Sequence, residues 1–410
     1  MSKIRIKNFG PIREGYLEDD GWMDIKKVTV FIGDQGSGKS SVAKLFSSFT
    51  WFEKALNRGD FNAGSVAEDI LELLGYQGIR NYLSGKTEVS FAGDTFNIHY
   101  NQQNGTIISR SGSAKFIVPK IMYVPAERNF LSTIKSAYDV KGLPGPLTTF
   151  AEELKRANID LDGVKIDLPI RDYSYRYDYI KDVSYIHGPD YTLNLLEASS
   201  GLQSLVPLYL VSKNLVDAIA YSDDRLRPNI SVNQTIRMEQ ELNRINQHPG
   251  FNEEEKEARR VTVRAKFYNK CFINIVEEPE QNLFPTSQRH MLNSLLEFNN
   301  VTEGNKLVMA THSPYIINYI TLAIKAGMVY EKADATKKND ELKPKIEAIV
   351  PEKSIIKPAD LVVYELDGDG RIIKLDSYRG MPSDENYLNE RLGETNDLFS
   401  QLLDIEELCR

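Results

Sequence analysis

Two periodicities alternate along the chain. The opening "KIRIKNFGPI" places apolar residues at every second position, as a strand does, and "VTVFIG" (Val28 to Gly33) is a continuous apolar run that halts at a glycine. The following stretch, "SSVAKLFSSFTWFEKAL", spaces its apolar residues for a helix, so the first unit reads as strand, glycine loop, helix. Residues 86–110 return to short alternating runs broken at Gly93-Asp94 and Asn104-Gly105, which predicts antiparallel hairpins. "PKIMYV" predicts a further strand, leading into "PAERNF". The segment 131–182 reads as irregular, with "GLPGP" as its clearest break. Within it, "RDYSYRYDYIKDVSYI" alternates Tyr173, Tyr175, Tyr177 and Tyr179, as an antiparallel strand with one aromatic face on the core would. Arg171 and Arg176 beside them leave base stacking as the alternative.

From Leu202, "LQSLVPLYLVSKNLVDAIAY" is helical, with Pro207 expected in the first turn, where a missing N–H is tolerated. Residues 222–270 are polar and charged and predict a helical excursion from the core. Its Arg259, Arg260, Arg264 and Lys266 could touch phosphates, but interleaved acids favour a solvated helix or a protein contact. "CFINIV" and "KLVMATHSP" then read as buried strands separated by the helix "SQRHMLNSLLEF", the alternation of a parallel sheet. The lysine-rich stretch 331–357 reads as an exposed loop and "VVYELDGDGRIIKL" as a hairpin. An acidic helix, "DENYLNERLGETNDLFSQLLDIEEL", follows. There is no internal repeat and no sustained heptad pattern.

Composition narrows the class without naming a partner. With 410 residues, 41% of them hydrophobic, the chain can bury a full core. A net charge of -8 argues against a surface coated for indiscriminate nucleic-acid binding, though a local basic groove stays open. Two scattered cysteines, Cys271 and Cys409, cannot build a disulfide framework or a four-ligand zinc site, which fits a reducing cytoplasm. No run reaches the roughly 18 uncharged apolar residues that a membrane span needs, and "MSKIRIKNFGPI" lacks the apolar core of a signal peptide. The expectation is a cytoplasmic, unanchored protein.

Chemistry enters with "GDQGSGKS", Gly33 to Ser40, which fits G-x-x-x-x-G-K-[ST] between a predicted strand and helix. In such a loop Gly33, Gly36 and Gly38 let backbone N–H groups, with Asp34, Gln35, Ser37 and Ser41 around them, curl about phosphates. Lys39 reaches the β- and γ-phosphates of ATP, and the Ser40 hydroxyl ligates Mg²⁺. The stretch "IVEEPEQNLFP" adds a second element. Glu277 and Glu278 stand side by side at the end of an apolar run, where an unpaired carboxylate would be costly, so a positive partner is expected beside them. Metal at Glu277 and a water polarised by Glu278 as general base would make the pair tolerable.

These residues resemble ATPases with ABC-type heads, as in the SMC and DNA-repair ATPases and the OLD-family nucleases. "IVEEPEQNLFP" is similar to their Walker B segment and D-loop, although Glu277 stands where aspartate is usual, and "ATHSP" places His312 like their switch histidine. "EASSGLQSL" looks like their signature loop, with Ser200, Gly201 and Gln203 matching and Leu202 replacing the second glycine. Physically, Ser200 can cap the helix expected from Leu202, leaving an anion site at its N-terminus. In the family that site meets the γ-phosphate held by another subunit, so the resemblance implies a homo-oligomer with composite sites, a dimer or a larger ring. The family's Q-loop glutamine is not evident; "VPAERNF" stands in its place, so Glu127 or Arg128 takes that work or forms a structural ion pair.

The implied fold class is α/β, a P-loop NTPase of the ABC-head type with a mixed and parallel sheet, an antiparallel β subdomain and helical insertions. The expected domain spans 1–375, with insertions about 51–85, 131–182 and 222–270 and the Lys-rich loop 331–357. Residues 376–410 form an acidic helical tail. "ELDGDG" (Glu365, Asp367, Asp369) holds the nearest acids to a Toprim set, but a hairpin turn accounts for it better, so no nuclease is expected in this chain. "FIGDQGSGKSSVAKL", "YVPAERNFLS" and "EASSGLQSL" resemble the ATPase subunits of PARIS anti-phage systems. That resemblance implies a Toprim-type effector nuclease as partner and a phage-encoded trigger protein. The alternative is a DNA-repair ATPase that clamps DNA.

Overall fold

The computed structural model describes residues 2–61, 66–111, 116–135, 140–220, 232–336 and 339–408. Cys409, residues 222–231 of the charged excursion and Lys337–Lys338 of the lysine-rich stretch lie outside the described residues.

A seven-stranded sheet organises the chain. Five neighbouring strands run parallel in the order Pro119–Val124, Cys271–Glu277, Lys306–Ala310, Val28–Gly33 and Leu361–Leu366. Arg371–Lys374 then pairs antiparallel with Leu361–Leu366, and Gly15–Tyr16 closes that edge. Every residue of Val28–Gly33 and Cys271–Glu277 is buried. Because side chains alternate across a strand, each run feeds two cores. Val28, Val30 and Ile32 face one core with Phe272 and Val276, while Phe31 faces the other with Ile273 and Ile275.

The first core is covered by the helices Gly145–Asp160, Ser200–Ala220, Pro285–Asn300 and Pro314–Thr336. Over the second lie the phosphate-loop helix Lys39–Arg58 and a five-stranded antiparallel sheet containing Lys3–Phe9 and the strands Leu83–Ala92, Phe96–Asn101 and Gly105–Arg110. Glu53, buried on that helix, accepts the N–H groups of Thr95 and Phe96 and so pins the hairpin turn to it. A Cβ on Gly93 would fall 2.3 Å from the Glu53 carboxylate, which accounts for glycine in that turn.

Several expectations need correction. The segment 131–182 is not irregular: Pro144 ends the break and the 16-residue helix Gly145–Asp160 follows, burying Phe150, Ala151, Leu154 and Ala157. Most of 331–357 is helical rather than a loop, divided between Pro314–Thr336 and Asn339–Glu347. Pro207 lies inside Ser200–Ala220 rather than in its first turn. Leu361–Leu366 forms the predicted hairpin but also joins the central sheet beside Val28–Gly33.

The tyrosine segment is a hairpin, Ser174–Asp178 with Val183–His187. Tyr175 and Tyr177 are buried, and the Tyr175 hydroxyl meets Asn158 and Ser184, so these rings pack rather than stack bases. The excursion forms the helices Val232–Gln247 and Glu253–Phe267, joined over Met238, Val263 and Phe267. Arg260 and Arg264 pair with Glu257, Lys266 pairs with Glu241, and Arg259 lies over Phe251, which spends the basic residues within the hairpin.

Candidate functional site

The site lies at the C-terminal ends of the parallel strands, where an open α/β sheet places its ligand crevice. Gly33 ends its strand with φ 136°, and a Cβ there would sit 2.2 Å from the carbonyl of Leu366 on the neighbouring strand. Gly36 and Gly38 also take positive φ, 78° and 107°, so the loop follows a path that side-chain-bearing residues resist. Gly38 occupies the N-cap of Lys39–Arg58, and no side chain caps that helix. Its first N–H groups are therefore presented to the loop, as an anion site requires.

Lys39 is buried and donates to the carbonyls of Gly33 at 2.9 Å and Asp34 at 2.6 Å. Burial pulls its ammonium below the usual lysine value, against the opposing pull of Asp34, Glu280 and Glu278. Ser40 is exposed, Ser41 is buried, and the buried Ser37 hydroxyl has no hydrogen-bond partner among the described residues. Asp34 accepts the N–H of Gln35 at 2.7 Å and the hydroxyl of Tyr387 at 3.0 Å, and these two bonds hold its carboxyl below the usual range. Tyr387 opens the C-terminal helix Tyr387–Leu408, and its own N–H bonds Glu365. Two acids of "ELDGDG" are engaged locally: Glu365 accepts that Tyr387 N–H, and Asp367 accepts the N–H groups of Asp369 and Arg371 and closes the hairpin turn.

The glutamates at the end of Cys271–Glu277 part company. The Glu277 carboxylate is held by two neutral donors, the Tyr123 hydroxyl on one oxygen and the Ala126 N–H, 3.2 Å away, on the other. Glu278 turns to the opposite environment. Its backbone enters the left-handed region at φ 44°, its N–H bonds Ala310, and its carboxylate lies 3.0 Å from His312 Nε2. That contact depresses the Glu278 carboxyl and raises the His312 imidazole. Among the described residues His312 is the partner of the Glu278 carboxylate, and the Glu277 carboxylate has the two neutral donors.

Arg128 stands below them, fully buried. It forms no ion pair with the glutamate side chains; it donates instead to the carbonyls of Glu277 (2.8 Å), Glu278 (2.6 Å), Pro125 (3.3 Å) and Ser204 (3.2 Å). Burial lowers its guanidinium to about 10. Glu127, the other residue considered for this place, is exposed.

The signature segment reaches the same tip. Ser200 is the first helical residue rather than the cap, because the Ser199 carbonyl accepts the first helical bond from Gln203 at 3.0 Å. Ser199 and Ser200 are exposed, whereas Leu202 is buried in the core. The Gln203 amide turns inward to the carbonyls of Leu195 and Leu196. Gly201 packs on the loop after Glu278, where a Cβ would fall 2.9 Å from the Asn282 carbonyl, and Asn282 donates to Ser204 at 3.0 Å.

Glu280 escaped the sequence reading. It accepts the His312 N–H at 2.9 Å, and burial pushes its carboxyl upward. Its signal was only the third glutamate of "EEPE". Tyr123, Asn282 and Tyr387 left no signal, since each acts across more than a hundred residues or through an ordinary loop.

Residues 250–317, which include the glutamate strand and His312, match the family model of the AAA ATPase domain. With the phosphate loop at Gly33 to Ser40, this match supports an ATPase of the P-loop class. Its fold is α/β, an ATPase head with mixed parallel and antiparallel sheets. No curated protein matches the chain. Among solved structures it is similar to the SMC head domain from Thermotoga maritima, at 11% identity over 92% of this chain and 98% of that one, with a TM-score of 0.38. A second is the Smc head domain with an extended coiled coil, bound to the C-terminal domain of ScpA, derived from Pyrococcus furiosus (10% identity, 100% of both chains, TM-score 0.38). A third is a nucleotide-free ATP-binding cassette from an ABC transporter (11% identity, 93% of both chains, TM-score 0.28). At such identities and scores these likenesses extend no function to this chain. Among its described residues no helix is long and apolar enough to cross a membrane.

Proposed function

We propose that this P-loop ATPase is of the ABC type and hydrolyses ATP with Mg²⁺ at sites shared between copies of the chain. The observation that carries the reading is the meeting of an uncapped phosphate-loop helix with the Glu278–His312 pair at the ends of neighbouring parallel strands. In this reading Lys39 and the loop N–H groups bind the phosphates. Ser40 and Glu277 hold Mg²⁺, which when bound neutralises phosphate charge. What supports Glu277 in this role is that two neutral donors orient its carboxylate without neutralising it. Glu278, its carboxyl depressed by His312, polarises the attacking water, and His312 responds to the γ-phosphate. The exposed helix start at Ser200 completes a neighbour's site, in a dimer or a larger ring.

Residues 1–375 then form the ATPase domain and 376–410 a tail. By resemblance of its loop, "VPAERNF" and signature segments to AriA, the ATPase subunit of PARIS systems, the nucleotide state controls a Toprim-type effector nuclease and answers a phage-encoded trigger in the cytoplasm. Exposed Leu398, Phe399 and Leu402 on the tail helix offer surface for such a partner.

Glu278→Gln tests the chemistry: ATP binding should persist while turnover is abolished, and brisk hydrolysis by the variant would remove Glu278 as the base. Copurification with a nuclease encoded by the adjacent gene tests the defence role. Turnover stimulated by duplex DNA, with steep salt dependence, would replace it with a DNA-clamping ATPase.

A further inference from the structure

Away from the phosphate loop, two turns along its helix from Ser40, a cavity of about 440 Å³ opens between Lys39–Arg58, the helix Val66–Tyr76 and the edge strand Pro119–Val124. That volume lies in the range of sites that enclose a small organic molecule. Trp51, Phe61 and Tyr76 supply aromatic wall, Trp51 meeting Phe61 edge-on with ring centroids 6.1 Å apart. Two polar groups are left unsatisfied on its lining. Gln77 is 4% exposed and its Oε1 has no hydrogen-bond partner among the described residues; Ser48 is also 4% exposed and its hydroxyl is likewise unpartnered. A buried acceptor of this kind is costly unless something donates to it. Glu72 and Asp69 also line the cavity, and among the described residues that line it there is no lysine, arginine or histidine.

We propose that this cavity binds a compact aromatic organic cation. The aromatic wall takes the ring, Gln77 Oε1 and the Ser48 hydroxyl take its N–H groups, and the carboxylates of Asp69 and Glu72 favour its charge. Phosphorylated ligands are disfavoured by the same charge balance, which separates this site from the phosphate loop. Tyr123 lines the cavity and donates its hydroxyl to Glu277, so an occupant touching Tyr123 also bears on the carboxylate assigned to metal. Only this coupling rests on the proposed ATPase reading; binding stands apart from it.

The test is calorimetric titration of the full chain with tryptamine and with its anionic counterpart indole-3-propionate. Tryptamine should bind at least about tenfold more tightly. Glu72→Lys, at an exposed position, should erase or invert that preference, and Leu73→Trp should fill the cavity and remove binding. Equal affinity for the two probes, absence of binding at about 5 mM tryptamine, or unchanged binding in both variants would overturn the site. Coupling is read separately as a change in ATP turnover with tryptamine, lost in Tyr123→Phe while tryptamine still binds. An unchanged rate in a turning-over enzyme that binds tryptamine would overturn the coupling alone, and absence of turnover with intact binding would count against the ATPase reading and not the cavity.

Discussion

Replacing Arg128 should weaken both the fold and the turnover of this protein. Its guanidinium is fully buried and bonds four backbone carbonyls, two of them on the consecutive glutamates and one on the signature helix. In Arg128→Met those acceptors lose a charged donor. A buried carbonyl left unsatisfied costs about 1–3 kcal/mol, and the four would sum to several times that if none relaxed. Against this stands the relief of a desolvated cation, whose cost is visible in its depression to about 10. Because Arg128 makes no ion pair among the described residues, its loss strands no buried charge, and with the carbonyls partly relaxing the net destabilisation comes to about 3–5 kcal/mol. For 410 residues unfolding together, an unfolding entropy of roughly 0.9 kcal/mol/K converts that loss to about 3–6 °C in Tm. Arg128→Lys, which keeps the charge but not the fork, should fall between. Differential scanning fluorimetry and a phosphate-release assay on the same preparations read both effects. A Met variant melting within about 1 °C of the parent, with unaltered turnover, would show that the four bonds do not hold the glutamate tip.

Other outcomes follow from the same geometry. Gly33→Ala puts a methyl 2.2 Å from the Leu366 carbonyl and should abolish nucleotide binding even where the variant folds, measured by titration with a fluorescent ATP analogue. For the Glu278–His312 pair, the raised imidazole contributes fully below its ordinary 6.5 and loses that contribution as pH rises through the raised value. The depressed carboxyl contributes fully above its ordinary 4.5 and loses its share as pH falls through the depressed value. The stability cost of His312→Gln should therefore peak between pH 4.5 and 6.5 and fade at higher pH. Since both groups are partly exposed it should stay below about 1 kcal/mol in urea titrations, and a cost that grows at alkaline pH would contradict the assignment. Tyr387→Phe deletes one of the two bonds holding the Asp34 carboxyl low, so that carboxyl should titrate higher, and amide exchange should quicken at the start of the tail helix. Unchanged exchange there would mean that the contact does not anchor the helix.

What could be read from the sequence was local. The phosphate loop is one short segment whose glycine positions are dictated by its own path, and the glutamate strand announces itself by an unbroken apolar run ending in charge. The helix Gly145–Asp160 was legible in principle, since Phe150, Ala151, Leu154 and Ala157 share a face, but "GLPGP" masked a proline start signal as a break. The lysine-rich helices were hidden because polar residues there pair with one another, as Lys345 does with Glu341 and Lys343 with Asp334, leaving no apolar rhythm. Tyr123 at Glu277 and Arg128 beneath both glutamates are products of strand order, which brings residues about 150 positions apart side by side.

Leu366 sets a condition on how the protein comes into being. Gly33 precedes Leu366 by more than three hundred residues, yet its strand is flanked by Lys306–Ala310 and Leu361–Leu366, and the loop turns against the Leu366 carbonyl. During synthesis that strand has both of its edges paired only after Leu361–Leu366 has been made, more than three hundred residues later. The nucleotide loop therefore gains its last neighbour long after its own synthesis, and a product truncated before Leu361 would carry the whole phosphate-binding sequence with one wall of its strand missing.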